Sequence, residues 1–300
     1  MEFENLLVDI DGPVATITLN RPHALNALSP GLMADYDAAL TALAPGDAVR
    51  VIRVRGAGRA FSPGYDLAPP DGGNGTYGPG AAGGGSADPD ARALADFGES
   101  IALLERETMR EMAERWLRIW NYKKPVIAQV HGYCLSGGLD LLSTTDLAFA
   151  ATGTRFGHPA SRCVGIPILM GMLPLKIGAA KTKRILFTGD LIDADEALEW
   201  GLVEWVVDPD ELDARTMEYC QRVALLPMDG LSIHKHAVNR WSEIQGCRVA
   251  SLEMVEMDAL YHTTPVYHEF LRRIAEHGLH QALAWRDGPF AASERKPVSK

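Results

Sequence analysis

Two glycine-bearing turns, each directly after a β-branched run, constrain this chain more than any other feature. They are Gly58-Arg-Ala-Phe-Ser-Pro-Gly-Tyr-Asp-Leu67 and His131-Gly-Tyr-Cys-Leu-Ser-Gly-Gly-Leu-Asp140, roughly 70 residues apart. The runs before them, Val49 to Val54 and Pro125 to Val130, read as buried strands. A turn at the end of a strand directs backbone N–H groups into open space. Two such groups converging from separate loops hold a negatively charged oxygen, as chemistry through an enolate or a tetrahedral oxyanion requires.

The rest of the chain supplies a frame for these turns. Leu6 to Asp9 and Val14 to Leu19 read as a hairpin around Asp11-Gly-Pro13, followed by the irregular loop Asn20 to Asn26. Ser29-Pro30 gives an N-cap and an N1 proline to a helix with apolar positions Leu32, Met33, Tyr36, Leu40 and Leu43. A second helix is expected from about Ser100 to Trp120, with Ile101, Leu104, Thr108, Met112, Leu117 and Trp120 near one face. Further strands are expected at Leu147 to Ala150 and near Leu202 to Val207. Helical patterns dominate from Leu175 onward. The order predicts an α/β body over residues 1–205 and a helical region over 206–300. A Gly- and Pro-rich insertion at about 69–89 reads as a surface loop or lid within the body.

Composition narrows the function. A hydrophobic fraction of 47% suffices for a core, and the formal charge of −10 argues against a nucleic-acid partner. Room remains for a local basic pocket that receives an anionic small molecule. Four dispersed cysteines (Cys134, Cys163, Cys220, Cys247) without a C-x-x-C pair argue against zinc, and no metal is expected. The acidic N-terminus lacks the basic region of a signal peptide, and the most apolar stretch, Val164 to Leu175, is broken by glycines and prolines. A bilayer crossing needs ~20 apolar residues, so no membrane span is expected and the cytoplasm is the expected setting.

Other motifs have plainer readings. Gly73-Asn-Gly75-Thr-Tyr-Gly78 matches a dinucleotide fingerprint but neither follows a strand nor opens a helix. Ser136 lacks the first glycine of a nucleophile elbow and reads as a small turn residue. Gly137 and Gly138 open a helix whose free N–H groups and dipole favour negative charge. Asp140, in the first turn of that helix, complements the dipole or stands ready to move a proton beside the oxyanion site.

These segments resemble the enoyl-CoA hydratase/isomerase (crotonase) superfamily. The resemblance rests on Asn20-Arg-Pro…Leu25-Asn26-Ala27, Phe61-Ser-Pro-Gly-Tyr-Asp66, Lys124-Pro-Val-Ile-Ala128, His131-Gly132…Gly137-Gly138 and Ala197-Leu-Glu-Trp-Gly-Leu-Val203. It implies a crotonase-like spiral of ββα units and a C-terminal helical region that builds homotrimers or homohexamers. It also implies an acyl-CoA substrate, with coenzyme A as part of that substrate and no other cofactor. Carried over by position, the oxyanion donors are the backbone N–H groups of Tyr65 and Gly137. The acid/base group is Asp140, at the place of the family's first glutamate. His23, Ala24 and Leu25 would lie along coenzyme A, and Gly64, Asp66, Leu67, Gly138, His158 and Ala160 would complete the substrate site.

The second family glutamate aligns with Ala160, which carries no carboxylate, and His158 and Ser161 are the nearest replacements. The reaction implied is hydration/dehydration or double-bond isomerisation of an enoyl-CoA, with lyase the label taken. A CoA-thioester or C–C bond hydrolase of the same fold, and a catalytically silent CoA-binding protein, remain the alternatives.

Overall fold

The computed structural model describes residues 2–67 and 101–291. The insertion expected at 69–89 lies outside the described residues. Nine strands form two sheets among the described residues. The larger contains β1 (Leu6–Asp11), β2 (Val14–Leu19), β3 (Val51–Gly56), β4 (Val126–Val130), β6 (Leu147–Ala151) and β9 (Trp205–Val207), in the order β1-β2-β3-β4-β6-β9. Its β1–β2 hairpin is antiparallel and every later pairing is parallel. The smaller sheet joins β5 (Tyr133–Leu135), β7 (Arg155–Gly157) and β8 (Ile192–Asp193).

The large sheet is covered on both faces, which is why its strands read as nearly continuous apolar runs. Ala15, Ile17 and Leu19 of β2 face a core shared with α1 (Pro30–Leu43) and α2 (Ile101–Trp120). Val14, Val51, Ile127 and Phe149 face the other way, against Leu212 and Cys220 of the helix Leu212–Val223. The register Val14↔Val51 through Leu19↔Gly56 moves β3 two residues past the expected start.

Helix α1 follows its sequence signals closely. Ser29 accepts from the Leu32 N–H at 3.2 Å, Pro30 sits in the first turn, and the five expected apolar positions are buried. In α2 the expected stripe holds at Met112, Leu117 and Trp120, which are buried, and shifts in the first half of the helix. Glu105, Met109, Met112, Ala113 and Trp116 are buried, whereas Thr108 is exposed.

Helix α3 (Gly137–Thr144) follows β5 and is buried throughout. Then come α4 (Met172–Ile177), α5 (Ala179–Thr188) and α6 (Ala194–Trp200). After β9 the chain is helical: α7 (Leu212–Val223), α8 (Met228–Ile244), α9 (Cys247–His262), α10 (Pro265–His277) and α11 (Leu279–Ala291). Helix α9 packs along α2 and α10 packs on α11, so the C-terminal helices return to the body of the molecule. No helix of the described residues is long and apolar enough to cross a membrane. The four cysteines are buried and unpaired.

Candidate active site

The two glycine turns meet edge to edge. Phe61 N–H donates to His131 O at 2.9 Å, Ser62 N–H to Tyr133 O at 3.0 Å, and Leu135 N–H to Ser62 O at 2.9 Å. This ladder is the first link between two segments far apart in sequence. The second is steric. Gly64 has φ +109°, and a Cβ there would lie 3.0 Å from Gly137 N and 2.9 Å from the Ser136 Cβ. On Gly137 a Cβ would strike the Tyr65 ring at 2.6 Å. The contact requires glycine on both sides.

The donors expected at the oxyanion site are arranged as follows. Leu28 N–H donates to Gly64 O at 2.8 Å and Leu28 O accepts from Asp66 N–H at 3.2 Å. In an extended segment, neighbouring residues point their backbone groups to opposite sides, so the Tyr65 N–H lies on the edge away from Leu28. At the start of α3, Leu139 and Asp140 N–H both bond back to Ser136 O. Among the described residues the Gly137 and Gly138 N–H groups make no backbone hydrogen bond. Ser136 holds φ 48°, ψ −119° and its side chain does not cap the helix. Its part is to turn the chain, as expected.

The loop Asn20 to Asn26 is a structural brace. Asn26 is fully buried, and its amide donates to Ala57 O and Ala60 O, both at 2.8 Å, while its Oδ1 accepts from Arg21 N–H at 2.9 Å. Arg21 reaches across to Asp66 Oδ2 at 2.7 Å and to Ala27 O at 2.8 Å. Asp66 therefore serves to fasten this loop to the first glycine turn.

A cavity of about 510 Å³ opens beside these turns, within the usual range for a small-molecule site of ~300–1,000 Å³. His23, Ala24, Leu25, Tyr65, Asp66, Leu67, His158 and Ala160, all named as site residues from the sequence, line it. Gly64, Gly137, Gly138 and Asp140 are not on its lining; they lie behind the wall formed by Tyr65, Leu135 and Ser136. Arg59 and Arg286 also face the cavity, giving cationic groups to an acidic chain.

Asp140 reaches this cavity through Tyr65. Its Oδ2 accepts from the Tyr65 hydroxyl at 3.1 Å and its Oδ1 accepts from the Leu169 N–H at 3.1 Å. Trp116 Nε1–H in turn donates to the Tyr65 hydroxyl at 2.7 Å. The Asp140 side chain is almost wholly buried. Burial pushes its carboxyl up to about 7, opposed by the Leu169 and Tyr65 hydrogen bonds, with the charge of Asp258 adding to the rise. A carboxyl in that range holds or releases a proton near neutrality.

At the place of the missing glutamate, Ala160 sits in the short 3-10 turn Pro159–Arg162 and lines the cavity with a bare methyl. His158, beside it, is pushed down to about 4 by burial, with the Gly165 carbonyl raising it and Arg286 lowering it. A carbonyl only accepts, so the 3.2 Å contact of His158 Nε2 with Gly165 O places the proton on Nε2. Nδ1 is then a bare acceptor, with no hydrogen-bond partner among the described residues. Ser161 Oγ is buried and likewise unpartnered there, but Ser161 does not line the cavity.

Sequence reasoning missed four ionisable side chains of the cavity: Arg59, Asp258, His262 and Arg286. Only Asp258-x-x-x-His262 left a signal, an i, i+4 acid–imidazole pair on a helix.

Comparisons with known proteins identify the family and the fold. A sequence model of the family described as Enoyl-CoA hydratase/isomerase matches residues 9–76 and 94–275. A probable enoyl-CoA hydratase of Rhizobium meliloti (strain 1021) is 34% identical over 246 residues, covering 81% of this chain and 84% of the relative. A 1,2-epoxyphenylacetyl-CoA isomerase of Escherichia coli (strain K12) is 29% identical over 241 residues, covering 80% and 82%. The crystal structure of an enoyl-CoA hydratase from Mycobacterium smegmatis superposes with a TM-score of 0.83 at 29% identity, covering 97% of this chain and 95% of that one. The chain belongs to the enoyl-CoA hydratase/isomerase family and has the crotonase fold.

Proposed function

We propose that this protein hydrates or isomerises the double bond of an enoyl-CoA by stabilising a thioester enolate. The observation that carries this reading is the junction of the two glycine turns, where the unbonded start of α3 packs directly against Tyr65, a residue of the cavity wall. The thioester oxygen accepts from the backbone N–H groups of Tyr65 and Gly137. Each such donor contributes roughly 3 kcal/mol to the charge that develops there.

Asp140 is the proton reservoir, and the Tyr65 hydroxyl carries its proton to and from the cavity. The Tyr65–Asp140 hydrogen bond and the upward shift of the Asp140 carboxyl support this assignment. The loop His23 to Leu25 receives coenzyme A, and Arg59 and Arg286 meet its phosphates. No other cofactor takes part. The working form is a homotrimer or homohexamer in the cytoplasm. Exposed Ile233, Val238, Trp241 and Ile244 on α8, with Val249, Met257 and Leu260 on α9, offer apolar surface for self-association.

The test is a panel of acyl-CoA thioesters incubated with the purified protein, with products identified by mass spectrometry. A mass gain of one water supports hydration, and a shifted double bond at constant mass supports isomerisation. Release of free thiol with product acid, and no change at the double bond, would replace this reading with a hydrolase.

A further inference from the structure

The cavity contains a buried ionisable cluster for which the reading above has no use. Asp258 and His262 stand one turn apart on α9 and both face the cavity. His262 Nδ1 lies 2.8 Å from Glu105 Oε2 on α2, and His262 Nε2 lies 3.9 Å from Asp258 Oδ2. All three side chains are buried, and Glu105 Oε1 has no hydrogen-bond partner among the described residues. Removing three ionisable groups from water is unfavourable where leucine or methionine would pack as well. Ionisable groups buried against a cavity in this way are candidates for a functional site.

One short segment ties this cluster to Asp140. Ile166 N–H donates to Asp258 Oδ1 at 2.7 Å, and Leu169 N–H donates to Asp140 Oδ1 at 3.1 Å. Pro167 lies between and has no N–H to give. Gly165, just before, lacks a side chain where the Asp258 carboxylate rests, since any Cβ there would collide with it. Ile166 and Leu169 are three residues apart, so their N–H groups lie at most about 11 Å from each other, and two carboxyls are hung from one short strap. We infer that Asp258 is the second proton-transferring carboxyl of this active site, supplying what Ala160 lacks, and that His262 and Glu105 position it. This rests on the enolate reading and on the role of Asp140 in it.

For hydration the step balances with water as co-reactant. The Asp258 carboxylate takes a proton from water as the water oxygen bonds to the β-carbon. The electron pair of the double bond moves toward the thioester as an enolate, and a proton from Asp140, passed through Tyr65, then closes the α-carbon. Exchange with solvent returns the proton from Asp258 to Asp140. Isomerisation uses the same pair, with Asp258 taking a proton from the γ-carbon in place of water.

The ionic surroundings suit these roles. Burial pushes Asp258 up to about 6, held back by His262 and the Ile166 N–H and raised further by Glu105. Burial lowers His262, but its hydrogen bond to Glu105 and the charge of Asp258 outweigh that, so it is raised overall. The other titratable groups that feel Asp258 are Tyr261 on α9, Tyr267 on α10 and Asp140 on α3. Tyr267 also stacks on His262, with ring centroids 4.3 Å apart.

The test compares Asp258→Asn, Asp258→Glu, His262→Gln and Asp140→Asn in the full chain. It reads turnover on the best enoyl-CoA of the panel, affinity for a saturated acyl-CoA, and exchange of its α-hydrogen with D2O. Asp258→Asn is expected to keep acyl-CoA affinity and α-exchange while losing ~10²–10⁴-fold in turnover. Asp258→Glu should recover part of that loss. His262→Gln should move the acidic limb of the kcat profile to higher pH, because the imidazolium no longer holds Asp258 down. Full turnover in Asp258→Asn, alongside its loss in Asp140→Asn, overturns the inference and leaves the enolate reading standing. Undiminished α-exchange in Asp140→Asn overturns that reading, and this inference with it.

Discussion

The two buried aspartates accept from opposite ends of one four-residue strap, Ile166 to Leu169, yet their other partners differ in kind. Asp140 is held by dipoles alone: a phenol hydroxyl, a backbone N–H and the start of a short helix. Asp258 also accepts from one backbone N–H, but its other neighbours are ionisable, with His262 on one side and Glu105 beyond it. Burial raises the Asp140 carboxyl and neutral donors lower it according to their geometry, so this end depends on fixed distances. A relay of full charges depends on the protonation of its neighbours, so the Asp258 end responds as a unit. Two routes thus bring two carboxyls to intermediate proton affinity, and they should fail differently when disturbed.

The largest expected effect comes from Asp140→Asn. Turnover should fall by about 10³-fold or more while acyl-CoA affinity stays near wild type, as steady-state kinetics and calorimetry would reveal. Unchanged turnover would remove Asp140 from the mechanism and dissolve the comparison. Tyr65→Phe comes next, with a loss of about 10²-fold, because it removes the hydroxyl that joins Asp140 to a residue of the cavity wall. A Tyr65→Phe enzyme as fast as wild type would mean that Asp140 meets substrate directly.

The pH profile sharpens the contrast. Hydration by this pair needs Asp258 ionised and Asp140 protonated, so kcat should rise through about 6 and fall through about 7. Those limbs belong to the coupled pair, and Asp140→Asn should abolish the alkaline one.

Stability should move with the same sign logic. The folded Asp140 carboxyl lies above its unfolded value, so the stability it allows is complete below the usual carboxylate range and is lost as pH rises through about 7. At pH 8, Asp140→Asn is therefore expected to stabilise the fold by roughly 2–4 kcal/mol in urea unfolding, a gain that disappears near pH 4. The smallest effect is assigned to Ala160→Glu. With Asp258 already in place, crotonyl-CoA hydration should change by less than about tenfold. A far larger gain would seat the second acid at 160 and undo the pairing proposed here.

The sequence disclosed the parts of this molecule governed by local rules. The strands of the large sheet, the Ser29 cap and the two turns each follow from patterns a few residues long. So does the placement of His158 and Ala160 in the wall, by way of the family resemblance. What stayed hidden depends on contacts over long separations. Nothing near Tyr65 announces that its hydroxyl will meet Asp140 and Trp116, which lie 75 and 51 residues away. The second sheet escaped because its strands are two or three residues long, too short for any periodicity. Thr108 was placed on the inner face of α2 because its spacing fits, whereas Glu105 takes an inner position only because His262 arrives from α9 to pair with it.

The cavity is assembled from both ends of the chain. Its floor comes from residues before Leu169, and its roof comes from Asp258, His262 and the α11 residues Leu279, Leu283 and Arg286. A bound thioester would therefore act as mortar between the two. At a hundred times its dissociation constant it would add about 2.7 kcal/mol to their cohesion. Proteases that attack the last three helices should work more slowly when substrate is present, so occupancy of the pocket becomes a measure of how long the tail of the protein survives.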